Sequence, residues 1–243
     1  MKKEFGILVI FICLCVIVSV GNPNFLSAVN LQNTARLIGI FGIFSIGSGL
    51  VIITRGVDLS IGSLFALTGV MLGILLVEYK IPWPIACLLT TAVATMLGYI
   101  HGFLITRFKI QPFIITLCGL LFYRGIARYI SNDVTIGFGY SRGFETLKYL
   151  ATGTLFGIPI TFLLLLLLGL LFWVFLHRSV YGKYLFAVGR NEEAAFFSGI
   201  NTNKVVLVAY VISGTLAGLC GILLAFYTNA VAPSAHGNFY ELY

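Results

Sequence analysis

The sequence predicts an all-α, polytopic integral membrane bundle of about seven transmembrane helices, and three observations carry that prediction. Hydrophobic residues make up 59% of the 243-residue chain and charged residues only 9%, whereas a water-soluble globule carries roughly 25% charged residues. The mean hydropathy is +1.04. The fifteen Lys and Arg and the eight Asp and Glu residues are too few to clothe a soluble body, and nearly all of them fall between apolar runs. In such a chain a net charge of +7 reports orientation in a bilayer and gives no sign of a nucleic-acid partner.

A transmembrane helix needs about 20 mostly apolar residues. Stretches near that length cover residues 5–20, 37–54, 61–77, 81–105, 112–130, 154–176 and 205–230. The first follows Met1, Lys2 and Lys3, as a secretory signal peptide would. Its exit through Val18, Ser19, Val20 and Gly21 lacks the usual small-residue cleavage pattern, so it reads as an uncleaved first helix. Only Arg124 and Arg128 lie inside a run, close to its end, where long side chains can snorkel to the headgroups.

The loops set the orientation. A cytoplasmic N-terminus puts Lys2, Lys3, Arg55, Arg107, Lys109, Arg178, Lys183, Arg190 and Lys204 inside. It leaves Arg36, Lys80, Arg124, Arg128, Arg142 and Lys148 at or beyond the outer face. That bias follows the positive-inside rule and makes 177–204 the main cytoplasmic loop.

Glycine is abundant, with 27 residues. Gly69 and Gly73, Gly214 and Gly218, and Ala217 and Gly221 each lie one helical turn apart, a spacing that lets membrane helices approach closely. Cys13, Cys15, Cys87, Cys118 and Cys220 sit in apolar runs and read as buried free thiols filling small gaps. His101, His177 and His236 are far apart and without neighbouring acids or cysteines, so no metal or catalytic centre is implied. No phosphate-cradling glycine loop is present, and the spans carry none of the paired acids expected of an ion-coupled carrier. The chain reads as one that performs no bond-making chemistry and binds no cofactor of its own.

Two segments are not ordinary loops. The first is the polar interruption from Arg55 to Ser60, through Gly56, Val57, Asp58 and Leu59, which leads into Ile61, Gly62 and Ser63. Asp58 stands where the next helix begins, so its carboxylate is placed to accept from free N–H groups of the first turn. The segment is either a helix-capping turn or a break facing a pathway, since broken helices occur only when buried in protein or lining a cavity.

The second runs from Gly189 to Ile200 on the expected cytoplasmic side. Asn191 is a good N-cap, Glu192 and Glu193 suit a helix start, Ala194 and Ala195 continue it, and Gly199 is a good stop. A helix of about two turns is too short to be stable alone. Its paired Phe196 and Phe197 fit either a plug for a partner's groove or a surface-lying amphipathic helix.

The stretch Gly56-Val57-Asp58-Leu59-Ser60-Ile61-Gly62-Ser63 resembles the signature of bacterial ABC-importer permeases of the ribose and monosaccharide type. Residues 189–204 look like that family's cytoplasmic coupling loop. Asn24-Phe25-Leu26, Pro233-Ser234-Ala235-His236-Gly237 and Tyr240-Glu241-Leu242 also fit, in order and over essentially the whole chain. The resemblance implies a multi-pass permease in the bacterial inner membrane, pairing with a second permease subunit. Cytoplasmic ATP-binding-cassette ATPase subunits, carrying the ATP and magnesium, would engage the coupling helix, and a periplasmic sugar-binding protein would deliver cargo. It thereby selects the plug, with Phe196 and Phe197 as the buried contact and Glu192 and Glu193 at the rim.

Family members usually carry further helices beyond the region of Tyr240, whereas this sequence ends at Tyr243. The expectation is therefore a single transmembrane permease domain over 1–243, incomplete at its C-terminus, with the coupling loop at 177–204. An ion-coupled sugar carrier and a truncated, non-transporting membrane component are the rival readings. The outer segment 131–153, with Phe138, Tyr140, Phe144 and Tyr149, is expected to help dock the binding protein. Ser45, Ser48, Thr91, Thr95 and Thr116 are candidates to line a sugar path, although such residues often bond to their own backbone.

Overall fold

The computed structural model describes residues 2–139, 143–238 and 240, with side chains from residue 5 onward. Helices α1 (Lys2–Gly21), α2 (Ala28–Ile53) and α3 (Ile61–Gly73, prolonged by a π-helical turn Ile74–Glu78) come first. Then follow α4 (Trp83–Phe108), α5 (Pro112–Ile130), α6 (Glu145–Thr152), α7 (Ile160–Arg178), α8 (Val180–Arg190), α9 (Glu192–Phe197) and α10 (Thr202–Thr228). Among the described residues, four two-residue strands make two ribbons: β1 (Ile136–Gly137) pairs with β4 (Ala230–Val231), and β2 (Thr154–Leu155) with β3 (Ile158–Pro159), both antiparallel. Among the described residues, six helices are long and apolar enough to cross a membrane, namely α2, α3 with its π turn, α4, α5, α7 and α10. The apolar part of α1, Phe5–Gly21, is shorter.

The helices outrun the apolar stretches because capping can carry polar residues into a first turn. α2 starts nine residues before its apolar run, where the Ser27 hydroxyl accepts from Asn30 N–H at 3.3 Å. The run 154–176 proves to be a tight β2–β3 hairpin followed by α7, since Pro159 removes a donor and occupies the N-cap of that helix.

Burial grades the helices. Residues 61–70 are all buried, which places α3 at the centre, against α10, α5 and α4. In α7 only Thr161 is buried, and no described side chain of α1 is. These outer helices are apolar around their whole surface, as lipid-facing helices are. Cys13 and Cys118 likewise face outward, which corrects the expectation that all five thiols fill gaps; Cys220 does, its Sγ 3.3 Å from the Ile40 carbonyl oxygen.

Small residues set the α4–α10 crossing. A Cβ on Gly214 would lie 2.6 Å from the Ala94 carbonyl oxygen, and one on Gly102 2.9 Å from Leu207 Cα. Backbones this close gain dispersion contact where lipid gives no hydrophobic force. Gly69 and Gly73 serve otherwise: they admit the side chains of Val231 on β4 and Ile136 on β1.

One end of the bundle carries the β ribbons and α6; the other carries α8, α9 and the turns after α2 and α4. The two span arginines differ in where they reach. Arg124 donates to the carbonyls of Pro233 and His236, gripping the turn that descends beside α3. Arg128 makes a two-pronged contact with Asp133, at 3.0 and 2.7 Å, which holds that carboxyl below the ordinary range. Phe138 and Phe144 are buried, Phe138 stacked on Phe226 at 4.6 Å, so they are core residues, unavailable for docking. Tyr149 is exposed, and Tyr140 and Arg142 lie outside the described residues.

Candidate coupling and translocation site

The interruption before α3 begins as a helix stop. Arg55 adopts a left-handed φ of 62°. Its N–H bonds to the Ile52 carbonyl at 2.9 Å, and Gly56 N–H to that of Val51 at 3.0 Å, the paired bonds of a Schellman ending. Gly56 is fixed by a close approach: a Cβ there would lie 2.7 Å from the Tyr210 hydroxyl. The freed backbone is then satisfied from two sides, because the Val57 carbonyl accepts from Tyr210 on α10 at 3.1 Å and from Thr116 on α5 at 3.3 Å.

Asp58 does not cap the first turn of α3 as expected. Its Oδ1 accepts from the Ser60 N–H at 3.1 Å and the Ser60 hydroxyl at 2.7 Å, a side-chain turn that folds back within the loop. Its Oδ2 accepts from Ser213 on α10 at 3.2 Å. Ser60 is the N-cap residue but makes no capping bond, while the Ser63 hydroxyl donates to the Ser60 carbonyl at 2.7 Å. Gly62 faces the returning turn, since a Cβ on Gly237 would fall on its carbonyl oxygen.

Behind Ser60 stands His101, buried on α4. Its Nδ1 lies 3.4 Å from Ser60 Oγ and its Nε2 2.7 Å from the Tyr123 hydroxyl on α5, with the two rings stacked. With the Ser60 hydroxyl proton on Asp58, the neutral tautomer that satisfies every group has Nδ1 donating to Ser60 and Nε2 accepting from Tyr123. The polarity runs one way, from Tyr123 through His101 and Ser60 to the carboxylate, and it bolts α3, α4, α5 and α10 together.

At the same end of the bundle α9 forms as the sequence predicts. The Asn191 side chain accepts from Ala194 N–H at 3.0 Å, and Gly199 takes a φ of 84°. Ala195 is buried against the bundle, Glu192, Glu193 and Ala194 are exposed, and Phe196 and Phe197 are 63% and 85% exposed. The segment 177–204 also contains α8, which was not anticipated. Its amphipathic pattern buries Gly182, Leu185 and Val188. Between α9 and the break lies a cleft of about 410 Å³, bordered by Arg55, Gly56, Thr106, Lys109, Gln111, Glu192 and Tyr210.

His101, Tyr123, Tyr210 and Ser213 escaped the sequence reading. A lone histidine in an apolar run gives no local signal, and its partners come from helices far along the chain. The hydroxyl candidates within spans mostly bond to their own helices: Ser45 to the Phe41 carbonyl at 2.7 Å, Ser48 to that of Phe44 at 3.3 Å. Thr95 also reaches Thr215 at 2.9 Å, and Thr116 reaches the break. Tyr240 packs edge-on to Phe41 and Phe65, while Glu241 and Leu242 lie outside the described residues.

A bundle of helices long and apolar enough to cross a membrane, with a polar break ahead of its central helix and a short helix projecting at one end, has the build of a multi-pass transport protein. Residues 30–243 match the family model described as the permease component of a branched-chain amino acid transport system, and the chain belongs to that permease family. It is 35% identical to the ribose import permease protein of Bacillus subtilis (strain 168) over 243 residues, all of this chain and 74% of that one. It is 30% identical to the fructose import permease protein of Bifidobacterium longum (strain NCC 2705), covering 97% and 69%. Against the D-allose transport system permease protein of Escherichia coli (strain K12) the identity is 31%, covering 93% and 68%. No solved structure matches the chain.

Proposed function

We propose that this chain is the transmembrane subunit of an ATP-binding-cassette importer that carries a monosaccharide or related sugar across the bacterial inner membrane. The sugar class comes from the relatives, named for ribose, fructose and D-allose. The N-terminus and the α8–α9 end face the cytoplasm, in keeping with the basic residues gathered there. ATP and magnesium belong to a separate ATPase subunit, a periplasmic binding protein supplies the sugar, and a second permease subunit completes the membrane unit. The single observation that carries this reading is α9. A six-residue helix, capped at both ends, holds two adjacent phenylalanines out of the bundle, as a plug for a partner's groove would.

In this reading nucleotide-driven closure of the ATPase displaces α9. α10 begins at Thr202, only a few residues after α9 ends, and through Tyr210 and Ser213 it holds the break before α3. Motion at one end is therefore delivered to the buried junction of four helices. Replacing both Phe196 and Phe197 by Asp is expected to abolish capture of the ATPase subunit and sugar uptake while membrane insertion persists. Unimpaired uptake by that variant would overturn the proposal.

A further inference from the structure

We propose that Arg55 and Lys109 are positioning residues that clamp the α8–α9–α10 segment to the two helix-connecting turns flanking it, so that α9 moves with the bundle and not as a free flap. This rests on the reading of α9 as the coupling helix. Both residues end a long helix in a left-handed conformation, Arg55 at φ 62° after α2 and Lys109 at φ 55° after α4. Glycine is the residue that such positions favour, because it has no Cβ to crowd the carbonyl. A long cation there is conformationally unfavourable, and each of these two sends its charged tip to the same segment.

Arg55 Nη2 donates to the Arg190 carbonyl at 2.6 Å, at the junction of α8 and α9. Lys109 Nζ donates to Asn203 Oδ1 at 2.8 Å and lies 3.7 Å from Glu192 Oε1. One ammonium thus ties the first residue of α9 to the first turn of α10. A third, independent contact lies beside Arg55: a Cβ on Gly189 would fall on the Ile53 carbonyl oxygen, so the α8 backbone presses on the end of α2. Beneath these contacts is the 410 Å³ cleft. The segment packs on the bundle through Leu185, Val188 and Ala195, and on the side of the cleft it is held by the two cations. Exposed pairs of this kind add little to stability, so their removal should loosen the segment without unfolding the chain.

The test uses the full chain in lipid nanodiscs, in a cysteine-free background, with nitroxide labels at Ser198→Cys and Ile52→Cys. The double variant Arg55→Gly, Lys109→Gly is expected to keep its thermal midpoint to within a few degrees and to broaden the label–label distance distribution at least twofold. Lys109→Glu is expected to broaden it as well, and adding Glu192→Lys to narrow it again. With ATPase and binding protein added, the glycine variant should retain ATP hydrolysis while uptake of ribose, fructose or allose per ATP falls several-fold. A parental distance distribution in the glycine variant would overturn the clamp whether or not an ATPase binds. Failure of the parental chain to capture an ATPase would instead count against the proposed function and leave the distance test standing.

Discussion

The break before α3 and the helix α9 are both short polar interruptions between apolar runs, yet one is knitted into the protein and the other stands off it. At the break, the Asp58 carboxylate and the Val57 carbonyl collect hydrogen bonds from within the loop and from two other helices. At α9, only Ala195 is buried, and the largest side chains point away from the bundle. The same chemical need, satisfying backbone and charge near a membrane, was met by protein in one place and by capping in the other. A group satisfied by protein cannot move without breaking bonds, whereas a capped helix can travel as a unit. The difference separates a junction knitted on all sides from a capped element that is tied to the bundle at only a few points.

Substitutions can break or sharpen that contrast. The largest stability loss is expected from Asp58→Ala, which leaves the Ser60 and Ser213 hydroxyls without their acceptor, a cost of roughly 2–5 kcal/mol. A fall in the thermal midpoint of several degrees, together with lost uptake, would report it. Asp58→Asn should lose less, because one carbonyl oxygen can still serve Ser60.

His101→Phe comes next. The ring keeps its stacking on Tyr123, but the Tyr123 hydroxyl loses its buried partner, and about 1–3 kcal/mol of stability should go with it. An unchanged midpoint would show that the polar chain through the imidazole adds nothing. Asn191→Ala should cost about 1 kcal/mol, felt locally. Hydrogen exchange at the Ala194 amide would speed up while the α3 amides stay protected. Smallest of all, the paired Phe196→Asp and Phe197→Asp changes should move stability by less than about 0.5 kcal/mol, although under the proposed function they are expected to abolish ATPase capture. A large drop in the midpoint for that pair would mean that the phenylalanines belong to the fold.

Much of the fold was legible because hydrophobic runs long enough to span a bilayer are conspicuous, and because caps are local. Asn191, Gly199 and the limits of α9 could be read from neighbouring residues alone. The start of α2 was missed, since Asn30, Gln32, Asn33 and Arg36 look like loop until Ser27 is seen to cap them. The hairpin at 154–159 was hidden inside an apolar run. Phe138 and Phe144 could not be told from docking aromatics, because their burial depends on Phe226.

The sequence by itself determined that this is a helical membrane protein, where its helices break, and that a capped helix with two phenylalanines follows residue 190. Each of these depends on residues within one or two turns of one another. Only the tertiary structure decided that the carboxylate at 58 serves Ser60 and Ser213, that His101 belongs beside it, and that Arg55 and Lys109 reach the α8–α10 segment. Apart from Asp58 with Ser60, which are two positions apart, those pairings join residues separated by 41 to 155 positions. Such distant partners leave no periodicity or local motif, and packing alone brings them together.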